Sequence, residues 1–376
     1  MKNFRTVSDI RIERGGAAKL DAHIDGLCAN KRVFIVTDAG VHALGLLDGA
    51  KAALRGAGYR VEIFDQVVAD PPEAVVLRGA GWARDFKAGL VLGFGGGSPM
   101  DTAKVIALLA GSDQPITEMY GVGLAMGPRL PLMLIPTTAG TGSEVTNVAI
   151  LTTGETEKQG IVANALYADR VLLDAKLTTG LPKMTTAATG IDAMVHAIEA
   201  YTSLPQKNPL SDALALSALT KLRGAIEDVC KDGQDIEARE NMLIGAMLAG
   251  QAFSNAPCAA VHALAYPLGG FFHVPHGLSN ALVLTGVMDY NLPKADGLYG
   301  EIADHLRLGN SGAILIDEMQ RIKHATGVPQ TLSAVDIPDS AIAMMADDAM
   351  TKTRLLINNP RQMTLAATIK IYEDIA

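Results

Sequence analysis

Cysteine is scarce. Cys28, Cys230 and Cys258 are the three in 376 residues, with no Cys-x-x-Cys pair, so neither a disulfide framework nor a thiolate zinc site is indicated and a reducing cytoplasm is the expected compartment. Aromatic residues make up only 5% of the chain and charged residues 19%, against roughly a quarter charged in ordinary soluble domains. That shortage of charge fits a buried subunit interface. Dense Lys and Arg clusters are missing, and with a formal net charge of -8 the chain lacks the footprint of a nucleic-acid partner. Long clean apolar runs are missing too. Arg5, Asp9, Arg11, Glu13 and Arg14 break up the N-terminal segment, so it has no signal-peptide core. The uncharged run over residues 241–288 is interrupted by Gln251, Ser254, Asn255, Pro257 and Pro267; it reads as buried helix, and no membrane partner is expected. The remaining class is a soluble protein acting on a small molecule.

At 376 residues the chain is too long for one typical core, so two domains are expected. Apolar runs at residues 33–37, 61–64, 90–93, 132–136 and 171–174 read as parallel strands, and a helical stretch ending near Gly58 forms the first crossover. The third run leads into Gly95-Gly96-Gly97-Ser98-Pro99 and a helical pattern over 101–109. Strand, glycine loop and helix make a phosphate cradle, because glycine lets the backbone approach closely and a helix start offers unpaired N–H groups. A plain tight turn is the alternative. The fourth run opens into Thr137-Thr138-Ala139-Gly140-Thr141-Gly142-Ser143-Glu144, whose hydroxyls suit ribose, phosphate or amide oxygens, or a simple surface turn. Asp38 ends the first run, where a carboxylate accepts hydrogen bonds from an adenosine ribose and repels a 2′-phosphate, which favours NAD over NADP. Its other reading is a solvent-facing carboxylate at a strand end. From Thr185 onward the strand signals fade into alanine-rich helices, with a polar loop over 201–211. The boundary is therefore drawn near Gly180, between an α/β Rossmann-like parallel-sheet domain (1–180) and an all-helical domain (181–376).

In the second half, residues 254–280 carry His262, His273 and His276, three of the chain's eight histidines, and no Asp, Glu, Lys or Arg. Upstream, Asp192 and His196 stand four residues apart in a helical pattern, so both side chains lie on one helix face. His262 sits in a second helical pattern over 259–264, and Pro275 and Gly277 predict an irregular turn around His276. Asp192, His196, His262 and His276 can form one metal site; the alternative is a set of core histidines. His273 is left out as a pocket-wall or surface imidazole.

These motifs resemble the iron-dependent (group III) alcohol dehydrogenase family. The resemblance rests on Gly95-Gly96-Gly97-Ser98-Pro99-Met100-Asp101-Thr102-Ala103-Lys104, the Pro136 to Glu144 loop, Gly190-Ile191-Asp192-Ala193-Met194-Val195-His196 and Val274-Pro275-His276-Gly277, and covers nearly the whole chain. It implies an N-terminal dinucleotide-binding domain, an all-helical metal-binding domain, NAD and Fe(II) as cofactors, a homodimer or larger homo-oligomer, and interconversion of a small alcohol or diol and its aldehyde. By position, Asp192, His196, His262 and His276 match the metal ligands, and Gly96, Gly97, Ser98 and Asp101 the pyrophosphate loop. Thr137, Thr138, Thr141 and Ser143 match the nicotinamide half, Ile150 and Lys158 the cofactor cleft, and Phe253 a substrate-pocket position. Two positions depart from the pattern. Asp70 stands where the family often has asparagine at an adenosine contact, and Tyr266 stands where many members have a histidine.

Tyr266 lies one helical turn after His262 and is expected to orient a substrate oxygen through its hydroxyl; a core tyrosine beside Pro267 is the plainer reading. One carboxylate and three neutral imidazoles leave a divalent ion positively charged, so it favours ionisation of a substrate hydroxyl, and Zn(II) suits the same ligands. The rivals are a glycerol dehydrogenase-like enzyme, a dehydroquinate synthase-like lyase and a non-catalytic NAD-binding sensor. A lyase needs a basic anion pocket, and no dense Lys/Arg cluster surrounds the metal motifs.

Overall fold

The computed structural model describes residues 3–154 and 157–376, so Met1 and Lys2 of the N-terminal segment lie outside the described residues. The chain divides into two compact units. One is formed by Thr6–Thr138 and Gly142–Gly180, the other by Leu181–Ala376 with Ala139–Thr141 and the described residues before Thr6.

The first unit contains strands β1 (Ile10–Ile12), β2 (Arg32–Asp38), β3 (Arg60–Val67), β4 (Leu90–Gly95), β5 (Gly121–Val122), β6 (Leu132–Pro136), β7 (Val148–Thr153), β8 (Glu157–Val162) and β9 (Arg170–Leu173). Its helices are α1 (Leu20–His23), α2 (Ala39–Ala43), α3 (Asp48–Gly56), α4 (Glu73–Asp85) and α5 (Gly97–Gly111). Among the described residues, six strands form a parallel sheet in the order β1, β9, β6, β4, β2, β3. Central strands of such a sheet are covered on both faces, which is why β2, β4 and β6 are apolar almost throughout. Val33, Phe34, Ile35 and Val36 are fully buried.

From β2 the chain steps outward to β3 and then returns to the opposite side of β2 to form β4. This reversal is the place where open α/β sheets bind ligands, beyond the carboxyl ends of the strands. Val36 is in register with Gly93, and Gly95 with Pro136. Asp38, Gly95 and Thr137 therefore collect at the same edge, although more than fifty residues separate the acid from the glycines.

Three details differ from the sequence expectation. Helix α5 begins at Gly97, so Gly97, Ser98 and Pro99 form its first turn and the free loop is shorter. Strand β1 is only three residues long and carries no run that a pattern could detect. The hairpin of β7 and β8 pairs antiparallel; its second strand reads Glu-Lys-Gln-Gly-Ile-Val, too polar for a strand signal.

The second unit contains α6 (Lys183–Thr202), α7 (Pro209–Lys231), α8 (Ile236–Asn255), α9 (Ala260–Phe272), α10 (His276–His305), α11 (Gly312–Thr326), α12 (Ile342–Thr351), α13 (Thr353–Leu356) and α14 (Leu365–Glu373). Asn208 starts α7 with a capping box to Ser211, which shortens the polar loop expected over 201–211. The uncharged run over 241–288 is cut into parts of α8, α9 and α10. Among the described residues no helix is long and apolar enough to cross a membrane. Gly140, in the Thr/Gly loop, packs against Thr189 so closely that a Cβ would lie 2.7 Å from the Thr189 Cβ. That contact accompanies the grouping of Ala139–Thr141 with the helices.

Candidate functional site

Three helices of the second unit supply the metal-type donors. Asp192 and His196 project from one face of α6, His262 from the first turn of α9, and His276 is the first residue of α10. The irregular turn expected around His276 lies just before it. His273 caps α9 in a left-handed conformation with φ 56, and Pro275 is the cap of α10. Gly277 is inside the helix for a packing reason: a Cβ there would stand 2.4 Å from the Ala188 carbonyl oxygen. Absence of a side chain lets α10 approach α6 and carries His276 toward Asp192. His273 is exposed.

One donor atom from each of Asp192, His196, His262 and His276 falls within 4.8 Å of all the others. Asp192 Oδ1 lies 3.9 Å from His262 Nε2 and 3.7 Å from His276 Nε2. Burial alone would raise the Asp192 carboxyl, but the facing His196, His276 and His262 and the Asn280 amide hold it below the ordinary carboxylate range. Burial pushes His196 down to about 3, with Asp192 opposing and His262 and His276 reinforcing the shift. A neutral His196 keeps a lone pair free to ligate.

Two further residues organise this set. Glu199 accepts from the backbone N–H groups of Ala259 at 2.9 Å and Val261 at 2.7 Å, and its Oε2 is 2.6 Å from His262 Nδ1. A carboxylate so placed puts the proton on Nδ1 and turns the Nε2 lone pair toward Asp192. Asn280 Nδ2 donates to Asp192 Oδ1 at 2.6 Å and lies 3.3 Å from both His262 Nε2 and His276 Nε2. Its Oδ1 is buried without a hydrogen-bond partner among the described residues. Electron-rich atoms thus converge on one positively polarised hydrogen-bond donor, and one oxygen with three imidazole nitrogens suits Fe(II) and Zn(II) alike. Both residues escaped the sequence reading. Glu199 stands two turns after Asp192 on the same helix face, and Asn280 one turn after His276, so helical spacing was the available signal.

Phe253 stacks on the His196 ring, with centroids 4.3 Å apart and planes at 21°. Tyr266 is half-buried, and its ring centroid is 6.3 Å from that of His276. Burial pushes its phenol up, so the hydroxyl remains a donor at neutral pH.

In the first unit, Gly95 has φ 153, and a Cβ there would meet Pro99 at 2.7 Å and lie 3.5 Å from Asp38 Oδ2. Only glycine suits that conformation and that spacing. Asp38 Oδ1 accepts from Val41 N at 2.8 Å, capping α2. Gly96 caps α5 without a side-chain hydrogen bond, and Gly97 and Ser98 open the helix. Thr137 N donates to the Gly95 carbonyl at 2.9 Å, and Thr138 lies beside Gly96. Thr141 is grouped with the helical unit.

Asp101 and Ser143 belong to a buried clamp. Asp101 accepts from Ser143 Oγ at 2.5 Å, Lys104 Nζ at 3.1 Å and Ile150 N at 3.0 Å. Lys104 also donates to Ser143, Thr146 and the Val148 carbonyl. Asp70 and Lys158 form an ion pair at 2.7 Å. Asp70 has φ 50, a left-handed conformation that aspartate and asparagine tolerate better than most residues, which explains why either type suits the position.

A nucleotide-type switch point in one unit and a one-carboxylate, three-imidazole donor set in the other define a metal-dependent oxidoreductase. The sequence profile described as iron-containing alcohol dehydrogenase matches residues 8–175, and that of the Fe-containing alcohol dehydrogenase family, C-terminal, matches residues 186–376. Long-chain-alcohol dehydrogenase 1 of Geobacillus thermodenitrificans is 40% identical over 354 residues, spanning 91% of this chain and 89% of the relative. A solved 1,3-propanediol oxidoreductase superposes with a TM-score of 0.95 at 31% identity, covering 100% of both chains. Sulfoacetaldehyde reductase from Bifidobacterium kashiwanohense in complex with NAD+ superposes with a TM-score of 0.90 at 27% identity, covering 100% of this chain and 99% of that one. The chain belongs to the iron-containing alcohol dehydrogenase family.

Proposed function

We propose that this protein interconverts a small primary alcohol or diol and its aldehyde with NAD as hydride acceptor or donor. Asp192, His196, His262 and His276 hold one divalent ion, with Fe(II) expected from the family and Zn(II) compatible with the donors. The observation that carries this reading is the convergence of Asp192 Oδ1 and two imidazole Nε2 atoms on Asn280 Nδ2. When bound, such an ion supplies Lewis acidity that lowers the pKa of an alcohol hydroxyl and polarises an aldehyde carbonyl.

The protein's own groups do the remaining work. Glu199 keeps the proton of His262 on Nδ1, and Phe253 fixes the plane of His196 while bordering the substrate. Tyr266 donates its hydroxyl to the substrate oxygen and orients it. Gly96, Gly97 and Ser98 offer backbone N–H groups to the pyrophosphate, Asp38 accepts from the adenosine ribose, and Thr137, Thr138 and Thr141 flank the nicotinamide. Asp101, Ser143 and Ile150 hold that loop in shape; Asp70 and Lys158 do the same for the adenosine side.

Relatives named for long-chain alcohols, 1,3-propanediol and sulfoacetaldehyde span too wide a range to select one substrate. The absence of a dense cationic cluster beside the donors favours a neutral one. Three buried free cysteines fit a cytoplasmic protein, and the low charge content fits a homodimer or larger homo-oligomer. The deciding experiment supplies NAD and Fe(II) or Zn(II) to the protein with a panel of short alcohols and diols and follows NADH. Turnover with stoichiometric metal is expected; a His262→Ala protein with full metal and full activity would sink the assignment.

A further inference from the structure

We propose that the cavity bordered by α10, α11 and α14 is a binding site for a small monocarboxylate, held by the Lys323 ammonium. The cavity has a volume of about 530 Å³ and is lined by Thr285, Asp289, Gln320, Lys323, Lys370 and Ile371, among others. Lys323 is 2% exposed. An ammonium carries three donors, yet among the described residues this one makes a single long hydrogen bond, 3.4 Å to Thr285 Oγ1. That hydroxyl is itself turned toward Gln320 Oε1. Buried lysines are almost always paired, and Lys104 in the same chain shows a satisfied case with an aspartate and three oxygens around it. Among the described residues Lys323 has no such counter-charge within ion-pair distance. Burial accordingly pushes it down to about 8, which still leaves it mostly protonated at neutral pH.

The surrounding charges select the ligand. Lys370 is already neutralised by its ion pair with Asp374, and Asp289 is exposed. Among the described residues of the lining Lys323 is thus the cation without an ion-pair partner, and with Asp289 at the rim a monoanion meets the ammonium while adding the least negative charge, whereas a dianion adds one charge more. Ala367, Ile371 and Ile375 add apolar lining, which suits a short hydrocarbon body. The class is a monoanionic carboxylate with a short chain.

The test uses the metal-loaded full chain and sodium butyrate as probe, with sodium chloride and inorganic phosphate at matched ionic strength. Saturable heat is expected with butyrate. Acylation of Lys323, read by peptide mass spectrometry after a short pulse of acetic anhydride, should slow about fivefold at butyrate four times its dissociation constant. Lys323→Met removes the cation, and Ala367→Phe fills the cavity while leaving Lys323 in place; both should abolish the heat, with thermal melts confirming folding. No saturable heat, heat retained in either folded variant, unchanged labelling of Lys323, or tighter binding of phosphate than of butyrate would each overturn the proposal. Butyrate bound at the metal centre instead gives heat that survives both substitutions.

Discussion

The helical unit and the α/β unit build their sites from different materials. The first uses side-chain atoms: Asp192 and three imidazoles, with Glu199 and Asn280 turning them inward. The second uses backbone at strand ends, where Gly95 permits close approach and α5 starts without a side-chain cap. Its polar side chains are engaged in holding loops, as Asp101, Lys104 and Ser143 hold one another. Residue identity therefore governs the metal-type site, while backbone conformation governs the nucleotide-type site. The two buried lysines repeat the contrast in miniature, since Lys104 is fully bonded and Lys323 nearly unbonded.

This contrast is sharpest at Glu199. Replacing Glu199 with Gln keeps the volume but removes the charge that fixes the His262 tautomer, so metal affinity should fall by about 10–100-fold. Competition against a chelator measures it, and unchanged affinity would remove Glu199 from the site. The next effect is at Tyr266. Tyr266→Phe should lower kcat by roughly tenfold, the worth of one hydrogen bond, with metal and NAD binding intact, while Tyr266→His should add an ionisation near neutral pH. Identical kinetics for the Phe variant would leave the hydroxyl without a catalytic role.

A side chain that does matter in the backbone-built site is Asp38. Asp38→Asn should raise kcat/KM for NADP relative to NAD by up to about tenfold, the size of one close like-charge contact removed. Equal use of both cofactors by the unmodified protein would contradict the ribose assignment.

The last expected effect is on stability rather than on activity and concerns Lys323. Its folded pKa of about 8 lies below the ordinary 10.5, so below pH 8 the folded state carries the whole cost of a buried charge. Between these values the unfolded chain binds a proton that the folded chain has released, and stability rises with pH. Lys323→Met should therefore gain on the order of 2 kcal/mol at pH 7 and lose that gain as pH approaches 10.5. Asp289, Lys370 and Asp374 line the same cavity, so denaturation series should include a Lys370→Met control. A pH-independent difference would show that Lys323 is better solvated than its burial implies.

Strands β2, β4 and β6 were legible because buried parallel strands must be apolar on both faces. The hairpin of β7 and β8 was not, since β8 opens on Glu-Lys-Gln-Gly and only its pairing with β7 makes it a strand. Metal-type ligands were legible through residue type and helical spacing. Glu199 and Asn280 were overlooked because they act on other side chains, a relation that appears only when α6, α9 and α10 are assembled. Asp101 and Ser143 match cofactor positions in the motif; that they also bond one another, and that Asp101 accepts from Ile150, appears only in the fold.

Glu199 also joins two events that are usually separate. Its carboxylate caps the exposed N–H groups at the start of α9 and, through the same two oxygens, sets the orientation of His262. The helix cannot be properly started without aiming the ligand. Preorganisation of this kind moves the entropic cost of ordering the imidazole from metal capture to chain folding. Ion uptake should then proceed with little change in amide exchange across α9, and loading should be governed by ion arrival and dehydration rather than by rearrangement of the helix.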